Sequence, residues 1–146
     1  EVTQHLMSKQ DDQAIELNTT VKVKLGSSKI HGIGVFALLD IYKGQRLNCF
    51  PAPILKWYDM PYCSLSRLFP EIEELILQRW PSIINGSHFL SPNDMQWTIT
   101  FMNHSDTPNY NVDKDTALRD IKKGEEITED YRRMINYEKI YPWISQ

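Results

Sequence analysis

The sequence is poor in cysteine, contains no long apolar run and has no excess of basic residues. Cys49 and Cys63 are its only cysteines. Their spacing matches no zinc-binding pattern and two are too few for a disulfide framework, so we read both as reduced thiols in an intracellular protein, cytoplasmic or nuclear. No apolar stretch approaches the ~20 residues that span a bilayer, and no signal-peptide pattern is present. We therefore expect neither a metal site nor a membrane partner.

The charge balance is slightly acidic. Sixteen basic residues against nineteen acidic ones give a net charge of -3. Non-specific nucleic-acid binding needs a basic surface, so this balance argues against a direct nucleic-acid partner. Long-range attraction favours a basic partner instead, such as a peptide rich in lysine and arginine.

Glycine is also scarce, and the pair Gly32 and Gly34 on either side of Ile33 stands out for that reason. A dinucleotide-binding fingerprint is excluded, because its third glycine and its following helix are missing. Glycine lets the backbone take left-handed angles and lets a ligand approach bare amides and carbonyls. The pair therefore indicates either a ligand loop or a simple tight turn.

The 146 residues are most simply one domain with many short strands. Residues 1–19 are polar and weakly patterned, and we predict a loose N-terminal tail. Residues 51–96 are interrupted by prolines and contain one clear helix, near 70–80, that begins with proline and acidic side chains. The alternating apolar run over 97–101 predicts a half-buried strand. Together these patterns predict a mainly β fold with short helices.

Residues 103–109 form the polar stretch on which the functional interpretation centres. They bring together the amide of Asn103, the imidazole of His104, a serine hydroxyl and the amide of Asn109. A polar turn that caps backbone amides is one reading of this stretch, and a functional site at a strand end is the other. A hydrolase or nuclease that pairs His104 with Asp106 or Asp130 is poorly supported, because the spacing reveals no serine or cysteine nucleophile with its base.

Three segments, taken together, resemble the SET-domain protein lysine methyltransferases. They are residues 28–37, which contain the glycine pair, residues 103–109, which begin with Asn-His-Ser, and residues 124–131, which end in Asp-Tyr. Asp-Ile-x-Lys-Gly motifs occur in both places where the family has such turns. The resemblance implies a β-clip-like fold of small curved sheets with a C-terminal pseudoknot.

The resemblance also implies a division of the chain. It assigns residues 20–131 to the SET domain, with 51–96 as its variable insert, and leaves 132–146 as a C-terminal segment. The cysteine cluster that closes the cofactor site in many family members is missing here. We expect aromatic side chains of the C-terminal segment to form the lid instead, namely Tyr137, Tyr141 and Trp143. Plain core packing is the alternative reading of these aromatics.

S-adenosylmethionine is the cofactor that the resemblance implies, and Tyr131 is the implied catalytic residue. The residues expected to bind the cofactor are Gly32, Ile33, Gly34, Asn103, His104 and Tyr131. The residues expected along the substrate channel are Glu129, Tyr110 and Phe101. Two of these depart from the family pattern: position 129 is usually aromatic or apolar and influences how many methyl groups are added, and Tyr110 stands where cysteine is common.

The resulting prediction is methyl transfer from S-adenosylmethionine to the ε-amine of a lysine in a basic protein or peptide. A histone tail is one candidate substrate, and other basic proteins are equally compatible. The alternative is a non-catalytic SET-like module that binds cofactor or peptide without turnover, because a carboxylate at Glu129 would oppose deprotonation of the substrate amine. The sequence leaves the number of methyl groups and the oligomeric state open.

Overall fold

The structure is a computed structural model that describes residues 2–49, 58–79, 83–84, 87–90, 98–134 and 136–144. The helices are α1 (Val2–Thr20), α2 (Pro70–Arg79) and α3 (Tyr137–Ile140). The strands are β1 (Val23–Ser27), β2 (Ile33–Ala37), β3 (Tyr58–Pro61), β4 (Ile83–Ile84), β5 (Ser87–Leu90), β6 (Asn103–His104), β7 (Tyr110–Asn111), β8 (Thr116–Ala117) and β9 (Glu126–Glu129). Short 3-10 segments of one or two turns occupy Tyr62–Arg67, Thr98–Phe101 and Tyr131–Arg133.

The strands form small separate sheets, as the mainly β prediction requires. A four-stranded sheet has the order β1-β2-β9-β6, a three-stranded sheet has the order β3-β5-β4, and β7 pairs with β8. Within the largest sheet, β1, β2 and β9 are antiparallel neighbours, whereas β6 runs parallel to β9. The parallel pairing brings the Asn103-His104 segment beside the strand that leads to Tyr131.

The two Asp-Ile-x-Lys-Gly turns face each other and exchange equivalent hydrogen bonds. In each turn the lysine N–H donates to the aspartate Oδ1 of the other turn, at 2.9 Å in both cases. The pairs are Lys43 with Asp120 and Lys123 with Asp40. Each glycine N–H also donates to an alanine carbonyl of the opposite half at 2.8 Å. The repeated motif therefore builds one two-sided corner, in which each half satisfies the backbone groups of the other.

Helix α1 corrects the prediction of a loose N-terminal tail. Ala14 and Leu17 are buried in an apolar cluster with side chains of α2 and the adjoining 3-10 turn. Asn18 ties the two helices together: its Oδ1 accepts the N–H of Phe69 at 2.8 Å, and its Nδ2 donates to the carbonyl of Arg67 at 3.2 Å. The sequence signal for this helix is weak because the helix is stabilised by tertiary packing and by the bonds of Asn18 to the chain before α2 rather than by its own pattern.

Two further predictions concern residues 70–80 and 97–101. The predicted helix near 70–80 is confirmed as α2, although Trp80 lies outside the described residues. The strand predicted over 97–101 is wrong for residues 98–101, which form a 3-10 turn in which the Ile99 carbonyl accepts the N–H of Met102 at 3.1 Å; residue 97 lies outside the described residues. This turn carries Met102 into the second apolar cluster, beneath the four-stranded sheet. The domain boundaries stay a prediction.

Within the described ranges, no helix is both long enough and apolar enough to cross a bilayer.

Candidate active site

The candidate site lies where β6 and β9 end. Asn103 pairs with Thr128 and His104 with Glu129 in parallel register. Parallel strands place their carboxyl ends at the same edge, so the residues that follow β9 emerge beside His104. The 3-10 turn Tyr131–Arg133 begins at that edge.

Tyr131 is held at both its backbone and its hydroxyl. Its N–H donates to Nδ1 of His104 at 3.0 Å, and its Oη–H donates to the carbonyl of Met102 at 2.6 Å. Burial, reinforced by the negative charge of Glu129, raises the pKa of Tyr131 to about 12. The hydroxyl therefore keeps its proton at neutral pH and acts as a donor to Met102, while its oxygen lone pairs remain available.

The bond from Tyr131 also determines the tautomer of His104. A backbone N–H can only donate, so Nδ1 must accept and the ring proton must sit on Nε2. Nε2 lies 3.1 Å from Oδ1 of Asp106, which accepts that proton's hydrogen bond. The imidazole thus connects the Tyr131 backbone to the turn after β6, and it functions as a fixed structural link in this arrangement.

Asn103 anchors the loop that precedes β2. Its Nδ2 lies 3.1 Å from the His31 carbonyl, 3.2 Å from the Ile33 carbonyl and 2.9 Å from Oε2 of Glu126. Ser28 joins the same network, because its Oγ lies 3.1 Å from Nδ2 and donates to the Glu126 carboxylate. The side chain of Asn103 is consequently engaged with the protein itself, and it orders the loop from the side of β6.

The rest of the polar stretch has a structural role, as the turn-capping reading predicted. Asn109 is fully buried, and its side chain hydrogen-bonds to the backbone of β9. Its Nδ2 donates to the Glu126 carbonyl at 2.9 Å, and its Oδ1 accepts the N–H of Thr128 at 2.8 Å. Oγ of Ser105 accepts the N–H of Thr107 at 3.0 Å and closes the turn. The turn-capping reading therefore holds for Ser105 and Asn109, and a functional role for Asn103 and His104 stays a prediction.

A cavity of about 410 Å³ opens beside this edge. Its lining consists of Ile30, His31, Asn103, His104, Tyr131, Tyr141 and Trp143. Its volume lies within the range of pockets that hold organic ligands. The described part of the chain thus joins the loop before β2, the end of β6 and the C-terminal segment around one ligand-sized space.

Aromatic rings form one wall of this cavity. The ring of Tyr131 lies 4.6 Å from that of Tyr141 and 6.4 Å from that of Trp143, and the His104 ring lies 5.9 Å from Trp143. Ring faces attract cationic ligands, and the attraction grows as water is excluded. The chemistry of the wall therefore fits a ligand that carries positive charge.

The structure brings some of the sequence-predicted site residues to the cavity and places others elsewhere. Asn103, His104 and Tyr131 line it, and so do two of the three expected lid residues, Tyr141 and Trp143. The lining does not include the third, Tyr137.

The glycine pair lies next to the cavity and is not part of its lining. Gly32 has a φ of +49°, which glycine adopts without strain. Ile33 is half exposed at the start of β2. The lining residues from this loop are instead Ile30 and His31, which the sequence reasoning missed. The sequence signal for them is an isoleucine set among polar residues just ahead of the glycine pair. The structure shows that Ile30 is exposed, and large apolar side chains exposed beside a turn can mark a ligand surface.

The expected channel residues do not line this cavity. Tyr110 is buried in the second apolar cluster, and its hydroxyl donates to Oδ1 of Asp115 at 2.6 Å, so the structure gives it no place at this cavity. Phe101 is exposed on the 3-10 turn before β6. The Glu129 side chain is buried, and its Oε2 accepts from Nε of Arg133 at 2.6 Å. A channel role for Phe101 and Glu129 stays a prediction.

Comparison with known proteins gives one family match. The family model of the SET domain matches residues 32–132. No curated protein matches the sequence.

Several solved structures are similar to this chain. A putative histone methyltransferase of Plasmodium falciparum is 20% identical, with a TM-score of 0.40 over 79% of this chain and 96% of that one. A chain of the Polycomb Repressive Complex 2 from Chaetomium thermophilum is 20% identical, with a TM-score of 0.41 over 85% of this chain and 18% of that one. The Neurospora SET domain protein DIM-5, a histone lysine methyltransferase, is 22% identical, with a TM-score of 0.37 over 85% of this chain and 57% of that one.

Proposed function

Since the chain belongs to the SET-domain family, we propose that it is a protein-lysine N-methyltransferase, which transfers a methyl group to the ε-amine of a lysine in a basic protein or peptide. One observation carries the proposal. Asn103, His104 and Tyr131 line the same cavity, and the Tyr131 hydroxyl is fixed there by its bond to the Met102 carbonyl.

S-adenosylmethionine is the cofactor that we propose, and it supplies an electrophilic methyl group on a positively charged sulfur. The residues fit such a ligand, because a cavity of about 410 Å³ with an aromatic wall suits an organic cation. Ile30 and His31 would contact it from one side, and Asn103 with His104 from another. Tyr141 and Trp143 would cover it as the lid.

Tyr131 has two roles in the proposed reaction. Its proton is engaged with the Met102 carbonyl, so its oxygen presents lone pairs that can polarise a methyl group through weak C–H···O contacts. With a pKa of about 12 it does not ionise near neutrality, so it is not the base that takes the proton from the amine. Its fixed position instead orients the reacting groups for in-line displacement.

The substrate amine must reach the site without its proton. A free lysine has a pKa of about 10.4, so at neutral pH nearly all of it is protonated. An aromatic, water-poor cavity and a nearby positive charge would both lower that pKa. Phe101, exposed on the turn before β6, is the residue that we propose along the substrate path.

The proposed substrate is a basic segment, because a chain of net charge -3 attracts it. Histone tails and other lysine-rich proteins share this chemistry. We propose a cytoplasmic or nuclear location, supported by Cys49 and Cys63, which are both free thiols.

The test uses labelled S-adenosylmethionine and a mixture of basic proteins that includes histones. Wild-type protein should label lysine, and Tyr131→Phe should lower the rate by at least about tenfold. Tyr42→Phe is the matched control, because Tyr42 is exposed on the corner formed by the two Asp-Ile-x-Lys-Gly turns and should keep full activity. Equal labelling by Tyr131→Phe would remove the role of that hydroxyl.

A module that binds cofactor or peptide without turnover is the competing hypothesis. Its motivation was the carboxylate at position 129, which is engaged with Arg133. Calorimetry with S-adenosylhomocysteine separates the two: binding without labelling of any basic protein supports the module, and binding with labelling supports the enzyme.

A further inference from the structure

An ion pair between the buried Glu129 and the partly exposed Arg133 spans the residue that carries the site hydroxyl. Glu129 is the last residue of β9, and Arg133 is the last residue of the 3-10 turn that begins at Tyr131. Nε of Arg133 donates to Oε2 of Glu129 at 2.6 Å. The bond therefore closes a short loop of chain with Tyr131 inside it.

We propose that Glu129 and Arg133 are positioning residues that hold the turn bearing Tyr131, so that its hydroxyl stays directed at the Met102 carbonyl and the cavity. This inference rests on the proposed function, because the hydroxyl of Tyr131 matters only if the cavity is an active site.

The burial of Glu129 supports this role. The Glu129 side chain is 2% exposed and that of Arg133 is 38% exposed. A carboxylate withdrawn from water is strongly destabilising unless it is paired, so the chain gains from keeping Arg133 in one place. Burial raises the pKa of Glu129, whereas the hydrogen bond from Arg133 opposes that rise.

Other hydrogen bonds hold the start and the middle of the turn, and the Glu129–Arg133 bond holds its last residue. The Asp130 side chain accepts the N–H of Arg132 at 3.0 Å, and the Met134 N–H bonds to the Tyr131 carbonyl at 2.9 Å. These bonds shape the turn internally. The turn is also tied outward by the bonds of Tyr131 to His104 and Met102, and by Nη2 of Arg132, which lies 3.5 Å from Oδ1 of Asp106 in the turn after β6. The Glu129–Arg133 bond adds a tie from the last residue of the turn back to the end of β9.

The same pair explains how a carboxylate at position 129 is compatible with an amine substrate. Glu129 is absent from the cavity lining, and its charge is directed at Arg133. An incoming ammonium group would therefore meet the aromatic wall rather than a free carboxylate, so its deprotonation is not opposed.

The experiment compares Arg133→Met, Arg133→Lys and the double variant Glu129→Gln/Arg133→Met with wild-type protein. We measure kcat and KM for a lysine-rich protein, the Kd of S-adenosylhomocysteine, the denaturation midpoint, and amide hydrogen exchange at Tyr131, whose N–H bonds to His104. Arg119→Met is the matched control, because Arg119 pairs with Glu125 at 2.9 Å on the exposed surface.

Arg133→Met should lower kcat by about tenfold or more, with less change in the Kd of the cofactor product, and should speed exchange of the Tyr131 amide. Arg133→Lys should recover part of kcat. The double variant has no unpaired buried charge, so it should regain stability without regaining kcat or amide protection. Full recovery of kcat and protection in the double variant would mean that the pair only stabilises the fold, and would overturn the proposal.

The outcomes also separate this proposal from the proposed function. If wild-type protein transfers no methyl group to any basic protein, the enzyme hypothesis fails. The hydrogen-exchange comparison still decides whether the pair holds the turn. Unchanged exchange at Tyr131 in the double variant would overturn the positioning role whatever the activity.

Discussion

The carboxylate of Glu126 occupies the space that a side chain at position 34 would need. An ideal Cβ built on Gly34 lies 2.6 Å from Glu126 Oε2 and 3.1 Å from the Cβ of Ser28. The same carboxylate accepts hydrogen bonds from Ser28 and Asn103 and thereby joins the loop before β2 to β6. Gly34 is therefore required by packing beneath the site.

Gly34→Ala should displace Glu126 and loosen the loop that carries Ile30 and His31. We expect a loss of about 1–3 kcal/mol in the free energy of unfolding and weaker binding of S-adenosylhomocysteine. Urea denaturation and calorimetry measure the two effects. Gly26→Ala is the matched control, since Gly26 pairs with Gly34 in the sheet and the atoms nearest to its added Cβ belong to the Phe36 ring, at 3.1 Å, so any loss of stability there should leave cofactor binding unchanged.

The clash at position 34 can also be relieved by shortening the side chain of Glu126. If Glu126 is the obstacle, the double variant Gly34→Ala/Glu126→Ala should lose less stability than the sum of the two single variants. Additive losses would locate the clash elsewhere.

Trp143→Ala should weaken cofactor binding if the C-terminal aromatics form the lid. The indole lies within 6.4 Å of the Tyr131 ring and lines the cavity. Removing it opens the cavity to water and removes one aromatic face, so the Kd of S-adenosylhomocysteine should rise by about fivefold or more. Ile140→Ala tests an exposed side chain of the same segment that is not part of the lining, and its Kd should match wild type.

Deletion of residues 134–146 is the coarser version of this test. A large loss of cofactor affinity is expected, because Tyr141 and Trp143 both leave the cavity. Unchanged affinity in the truncated protein would remove the lid hypothesis.

Asn18→Ala should destabilise the fold although Asn18 is remote from the site. Its side chain accepts the N–H of Phe69 and donates to the carbonyl of Arg67, just before α2 begins. Loss of both bonds should lower the free energy of unfolding by about 1–2 kcal/mol, as measured by urea denaturation. Thr19→Ala is the control, because the Thr19 hydroxyl bonds only to carbonyls of its own helix and a change there should be small.

Stability should contain a pH-dependent contribution from Glu129. Burial raises its pKa in the folded state above the ordinary value of 4.5, so the folded protein holds that proton more tightly than the unfolded chain. Stability from this group is therefore greatest below pH 4.5 and declines as the pH rises through the folded pKa. Glu129→Gln should remove that decline above pH 4.5, as measured by denaturation over a series of pH values. An identical slope in both proteins would contradict the assignment.

The corrections have a common physical origin. The residues of α1 carry no clear apolar stripe, and its stability comes from Ala14 and Leu17 packing against α2. Residues 98–101 alternate like a strand, yet they form a turn because Met102 must enter the core. In both cases a contact distant in sequence outweighs the local pattern, and local pattern is all that a single sequence reports.

By itself the sequence determined the mainly β class, the helix near 70–80 and the residue types of the site, because turn chemistry, hydrophobic spacing and motif composition are local properties. Only the tertiary structure decided which of those residues meet. The parallel pairing of β6 with β9 brings His104 to the Tyr131 backbone, and packing buries Tyr110 away from the cavity. The tertiary structure also directs the Glu129 carboxylate towards Arg133, since a buried charge requires a partner that only the folded chain can supply.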